Sequence, residues 1–323
     1  MKIFYFSLLT LLLLSGCKSL INQDFVYHEN ISPVDVRADI DFLKNTLVKY
    51  HYDINWENRK AHIFSDLDQI GNINSSISLD SFENRIAAII NSVDDGHSRI
   101  IHQSDINRKS NNFGINRISN SVHYLRISNF LETHKLKEVL VNFKSSFEIK
   151  PTEKVLIDIR SNPGGSIENV KYFLSYFLPS KTELYDRLDI KSSNKLYNII
   201  SYFEEKKYNI KLAKTTGVKN LNGSPEIYLL INNEIASGSM LSSYHLQQNG
   251  AYIIGHPPNG LFNTFGNARG HKLPNSKIVY TTATARIFLS KQTPARMEDM
   301  LQSDYLPSEK MDINQIIDFI RDR

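Results

Sequence analysis

The chain has 323 residues, a formal net charge of +4, 41% hydrophobic residues and one cysteine. That length and apolar fraction suffice for a buried core in one large domain or two modest ones. A single cysteine excludes an intramolecular disulfide, and so small and dispersed a positive charge excludes a nucleic-acid footprint.

The N-terminal stretch "MKIFYFSLLTLLLLSGC" joins Lys2, an apolar run from Ile3 to Leu14 and the small pair Ser15-Gly16 to Cys17. The apolar run is too short to span a bilayer, so residues 1–16 read as a secretory signal. Leu14-Ser15-Gly16-Cys17 resembles the bacterial lipobox, which implies acylation of Cys17 and a membrane-tethered protein whose folded part stands in water. Lys18 follows where Gram-negative lipoproteins kept at the inner membrane carry Asp, so the same resemblance implies the outer membrane. Residues 17–31 are polar and read as a tether.

Ser32-Pro33-Val34-Asp35 predicts a helix start: a hydroxyl cap, proline at the first helical position and a carboxylate in the first turn. Val36, Ile40, Leu43, Leu47 and Tyr50 then recur at helical spacing. A second helix is expected over 56–70. A third is expected after Ser78, burying Phe82, Ile86, Ile89, Ile90 and Val93. Residues 32–105 thus read as an N-terminal helical subdomain, and 106–323 as a second domain.

Beyond residue 120 the pattern alternates. Strands are expected at 122–128, 155–159, 226–232, 251–255 and 277–283, and helices at 133–147, 167–177, 196–205, 237–248 and 312–320. Strands separated by helices argue an α/β layered domain. In such domains chemistry gathers at the carboxyl ends of strands. Segments 160–166 and 233–239 both fall at such ends.

The first of these, "IDIRSNPGGS", carries Gly164-Gly165. It lacks the Gly-x-Gly-x-x-Gly of a dinucleotide site and the Gly-Lys-Ser/Thr of a phosphate loop. Two uses remain: a tight turn at positive φ, or backbone N–H groups aimed at a developing oxyanion. The second segment, "LLINNEIASGSM", opens a helix with small residues around Ser237. Ser237 is either a helix cap or a nucleophile, with Gly238 able to offer its N–H to the same oxyanion. A nucleophilic serine needs a base. His97, in the loop "VDDGHSRI", stands just past an apolar helix, whereas His245 lies on the same helix as Ser237 and lines one face of it.

"DDGHS", "IDIRSNPGG" and "LLINNEIASGSM", in that order, resemble the three signatures of the tail-specific (carboxyl-terminal processing) protease family, which includes the tricorn core protease and interphotoreceptor retinoid-binding protein. "YIIGHPPNG" and "LPNSKIVY" resemble its later segments. The resemblance implies a ClpP/crotonase-like α/β core, without the PDZ domain of many relatives. It implies Ser237 as nucleophile, His97 as base, and Gly164 or Gly165 with Gly238 as oxyanion donors. Its substrate would be a peptide or protein, with no metal or organic cofactor. "GHPPNGLFNTFGN" has no lysine, which favours a Ser/His pair over Ser/Lys, and Met240 stands where relatives carry Glu. Glu298 and Asp299 fall where the Ser/His members place the acid that orients the base. Two other readings stay open: a peptide- or lipid-binding protein on this scaffold, and a structural lipoprotein in which Ser237 only caps and the glycines only turn.

Overall fold

The computed structural model describes residues 30–55, 58–102, 112–119, 121–146, 153–178, 182, 184, 187–191, 225–258, 265–288, 300–307 and 312–323. In chain order the elements are β1 (Asn30–Ile31), α1 (Pro33–Tyr50), α2 (Lys60–Gly71), β2 (Ile77–Ser78), α3 (Leu79–Asn91) and β3 (Arg99–Ile100). Next come β4 (Gly114–Arg117), β5 (Val122–Arg126), α4 (Thr133–Ser146), β6 (Lys154–Asp158), α5 (Ile167–Leu174) and β7 (Arg187–Ile190). The chain closes with β8 (Glu226–Ile231), α6 (Gly238–Gln248), β9 (Tyr252–Gly255), β10 (Phe265–Lys272), β11 (Val279–Phe288) and α7 (Ile313–Asp322).

These elements form two compact units. The first draws on 1–108, 188–208 and 264–287, and the second on 109–187, 209–263 and 288–323. Where the sequence suggested one cut near 105, the chain returns twice to the first unit. The reason is strand pairing: β11 joins β3 antiparallel, Tyr280 opposite Ile100 and Thr281 opposite Arg99, while β10 and β7 also pair with β11.

In the first unit, Ser32 caps α1 by accepting from Asp35 N–H, with Pro33 opening the helix. Val36, Ile40, Leu43 and Leu47 join Phe82, Ile86 and Ile90 of α3 in one core, which Leu273, Ile278 and Tyr280 complete from the β10–β11 hairpin. Asp39 lies on that same buried face because its carboxylate accepts the backbone N–H groups of Asn275 and Ser276, each at 2.8 Å. The second helix begins at Lys60; residues 56 and 57, where its start was expected, lie outside the described residues.

The second unit is built on a five-stranded sheet in the order β4-β5-β6-β8-β9, parallel except for the β4–β5 pair. Val155, Leu156, Ile157 and Leu229, Leu230, Ile231 are buried, as expected of strands covered on both faces. Val122, Leu156, Tyr228, Leu230 and Ile254 pack with Ile316, Ile317 and Ile320 of α7. A capping box at Asp312 and Gln315 starts that helix. The fold is α/β, with a mostly parallel sheet flanked by helices. Helix α5 stops at Leu174, three residues short of expectation: beyond it the bonding tightens to i→i−3 turns, Tyr176 N–H to Phe173 O and Phe177 N–H to Leu174 O, each at 3.1 Å. The helix expected at 196–205 lies outside the described residues.

Candidate active site

The carboxyl ends of β6 and β8 carry the two segments singled out in the sequence, and the second unit brings them into contact. Gly164 has φ +87°, and a Cβ built on it would lie 2.6 Å from the carbonyl oxygen of Ala236, 2.7 Å from the nitrogen of Gly238 and 2.9 Å from Ser237 Cβ. No side chain fits there. Glycine serves here less as a turn former than as the absence that lets two backbones touch. Gly165, at φ +148°, is pressed as closely on the third loop: a Cβ would sit 2.2 Å from the carbonyl carbon of Phe130. Phe130 N–H donates to Gly164 O at 2.8 Å and Ser166 N–H to Phe130 O at 2.9 Å, so the diglycine is clamped like a short parallel bridge.

Asn162, fully buried, ties these loops together. Its Oδ1 accepts from Gly164 N–H at 2.9 Å, and its Nδ2 donates to Ile127 O at 3.0 Å. Its own carbonyl accepts from Ala236 N–H at 3.1 Å and from the buried Ser239 hydroxyl at 2.9 Å. Ser161 adds a further link, N–H to Asn232 Oδ1 at 2.7 Å. The Gly164 N–H is thereby spent inside the turn, which removes Gly164 from the expected oxyanion donors. Gly165 and Gly238 are left, and the nitrogen of Gly165 lies 3.6 Å from the position a Cβ on Gly238 would take.

Ser237 sits immediately before α6 with φ +52° and ψ −118°, and its side chain makes no capping hydrogen bond. A non-glycine residue held at positive φ costs about 1–3 kcal/mol and persists only where its surroundings compel it. Here Ala236 is bound to Asn162 on one side and Leu241 N–H to Ser237 O on the other. The first N–H groups of a helix have no intrahelical partner and carry partial positive charge, so the ground beside Ser237 favours an anion. A serine that only capped would sit in extended geometry with its oxygen on an N–H, as Ser32 does.

The mouth of β6 is anchored by charge. Asp158 is buried, accepts from Tyr124 Oη at 2.9 Å, pairs with Arg126 and is held bidentately by Arg160 through Nε (3.1 Å) and Nη2 (2.8 Å). Burial pushes its carboxyl up, but the Arg160 hydrogen bonds and both guanidinium charges outweigh this and hold it below the usual range. Burial and the adjacent carboxylate raise the Tyr124 hydroxyl, so it remains a donor. Arg126 also donates from Nη2 to Arg160 O at 2.7 Å, which locks the residue leading into the turn.

His97 belongs to the first unit, in the loop between α3 and β3. It is half-buried, and its carbonyl accepts from Thr281 Oγ1 at 2.6 Å. Its N–H donates to Asp95 Oδ1 at 2.7 Å, and its Nδ1 faces Asp95 O at 3.5 Å. Burial lowers the His97 pKa, and the Arg99 charge adds to this against the opposing Asp95 carboxylate. The ring is therefore neutral, and able to accept a proton, at neutral pH.

The remaining expected residues fall elsewhere. His245 donates from Nε2 to Leu184 O at 2.7 Å and is buried, a structural role that matches its place on the α6 face. Glu298, Asp299 and Cys17 lie outside the described residues. Asn162, His51 and Asp95 were given no role by sequence reasoning. The available signal for Asn162 and Asp95 was their position inside "SNPGG" and "DDGHS", two residues from Gly164 and from His97; His51 carries no such local signal.

The profile of Peptidase family S41 matches residues 121–296, just over half of the chain. The chain belongs to Peptidase family S41. Among solved structures it is similar to mature CPAF complexed with lactacystin, at TM-score 0.61 and 11% identity, over 85% of this chain and 94% of that one. It is similar also to a lipoprotein from Streptococcus agalactiae, at TM-score 0.54 and 13% identity, over 94% and 99%. These likenesses show an S41 protease fold across nearly the full length. A search of the curated proteins returned no match. The S41 match takes in the diglycine turn and Ser237, whereas His97 precedes it.

Proposed function

We propose that this S41 chain is a serine peptidase of the cell envelope, held at a membrane by lipid on Cys17. Ser237 attacks the scissile carbonyl. His97 takes the hydroxyl proton and returns it to the leaving amine. The N–H groups of Gly165 and Gly238 hold the oxyanion, each such donor being typically worth about 100- to 1,000-fold in turnover. The observation that carries the reading is the backbone of Ser237: it is forced to φ +52°, caps nothing, and abuts the diglycine turn at Gly164. Strain of this kind persists where surroundings impose it, and it collects at functional sites.

The leader and the single cysteine at its end support the envelope location, as does the likeness to a lipoprotein structure. Among the described residues no helix is long and apolar enough to cross a membrane. The outer membrane is the favoured surface, since Lys18 follows Cys17.

A fluorophosphonate probe tests the chemistry. It should label the wild-type protein, fail to label Ser237→Ala, and label His97→Ala at a strongly reduced rate. Labelling that survives both substitutions overturns the proposal. A protein that binds peptide without ever being labelled would instead be the binding protein that Met240, standing in place of the relatives' Glu, leaves conceivable.

A further inference from the structure

The pair His51–Asp95 is buried, conspicuously polar and not used by the chemistry above. The two side chains are 0% and 1% exposed and meet at 2.7 Å, Nε2 to Oδ2, across 44 positions of sequence. Burying a carboxylate is costly unless every lone pair is used. Asp95 uses them. Oδ1 accepts the N–H groups of His97 (2.7 Å) and Ser98 (2.5 Å), and Oδ2 accepts from His51 and the Ser98 hydroxyl. The carboxylate thus grips the main chain of His97 and of the residue after it.

His51 is equally constrained. Its Nδ1 accepts from Asp53 N–H at 3.1 Å, which leaves the ring proton on Nε2, donated to Asp95. Its carbonyl, with that of Val48, accepts from Lys191 Nζ at 2.8 Å, and its ring packs on Phe265 with centroids 5.5 Å apart. Two backbone N–H groups would suffice to make an ordinary Asx-type turn. A buried imidazole brought from the far end of α1 is superfluous for that purpose. What it adds is a fixed rotamer and a fixed charge at Asp95.

We infer that Asp95, locked by His51, is the positioning residue for His97. The carboxylate fixes the backbone of the base, the Asp95 carbonyl receives the Nδ1 proton, and the negative charge supports the imidazolium formed in turnover. Nε2 is then the atom that takes the Ser237 proton, while Asp95 stays ionised throughout. Burial pushes Asp95 up, but the bonds from His51, Ser98 and His97 outweigh it and hold it below the usual carboxylate range. The groups that bear on the His97 ring are Asp95, which favours its charged form, and Arg99, which opposes it. This inference rests on the serine-peptidase reading and deepens it, placing the orienting group in the base's own loop rather than at Glu298 or Asp299.

The experiment uses the full chain with Asp95→Asn, His51→Ala and His51→Gln. Asp95→Asn keeps an acceptor for the two backbone N–H groups and loses the charge. It should be labelled by fluorophosphonate about tenfold more slowly or worse, with the acid limb of the rate moved to lower pH. His51→Ala should slow labelling, and His51→Gln, whose amide can still donate to Asp95, should recover much of it. In a Ser237→Ala background, NMR titration of the His97 ring should show a lower midpoint once Asp95→Asn is added. A labelling rate within twofold of wild type at every pH, or an unmoved His97 titration, overturns the inference and leaves the peptidase reading intact. If wild type and Ser237→Ala react alike, the reading itself fails and takes the inference with it.

Discussion

At the scale of single residues, the molecule holds Ser237 where serine alone would not choose to be. The cost of φ +52° is set by a Cβ that meets the following backbone, a cost that glycine does not bear. Ser237→Gly should therefore raise stability by about 1 kcal/mol while abolishing probe labelling, read as a higher thermal midpoint of an unreactive protein. A midpoint that stays or falls would mean that the surroundings do not impose the strain. Asn162 shows the complementary economy: one buried amide and its carbonyl satisfy four partners on three loops.

Elements explain why those residues meet. Parallel strands β6 and β8 are neighbours in register, so the loops after them leave the sheet at the same edge. Helices α5 and α6 begin there, and the turns that open them touch each other and the loop after β5. The diglycine is the hinge pin of that edge, and its tolerance for a side chain can be tested directly. Gly165→Ala would drive a methyl to within about 2.2 Å of the Phe130 carbonyl carbon, too close for any rotamer to relieve. We expect loss of labelling together with a destabilisation of several kcal/mol, on the order of the overpacking and positive-φ costs combined, read by urea denaturation. A near-wild-type midpoint would show that the Phe130 loop yields.

For the whole molecule, buried titratable groups make stability a function of pH. Burial lowers the histidine His271 to about 4 from an ordinary 6.5, and lowers His97 and His245 in the same direction. The unfolded chain binds these protons more readily, so the stability they contribute is complete above pH 6.5 and is lost as pH falls through each folded-state value, which for His271 means towards 4. His271 alone would contribute about 3 kcal/mol over that window. Asp95 and Asp158 are held below their ordinary 3.8, so their contribution is present above that value and is lost below it, as each protonates. The thermal midpoint should therefore fall in two stages on acidification, and His271→Gln should flatten the first. A midpoint independent of pH between 7 and 4 would contradict the assignment.

Much of this was written locally in the chain. The cap at Ser32, the buried stripes of α1 and α3, the apolar strands β6 and β8 and the small-residue turns all follow from near neighbours, because propensity, capping and burial pattern act over a few residues. The same local chemistry singled out His97, Ser237 and the glycines as candidates. It could not decide between cap and nucleophile at Ser237, since both uses ask for a small polar residue at a helix start. The backbone angles and the empty cap position show only that its side chain does not cap α6. Nor could it anticipate that β11 would pair with β3, that Asp39 would receive the Asn275 turn, or that His51 would reach Asp95. Those partners lie 44 to more than 200 residues apart. Pairings over such distances are fixed by which surfaces can be buried together and which lone pairs must then be filled, conditions that exist only once the chain has folded.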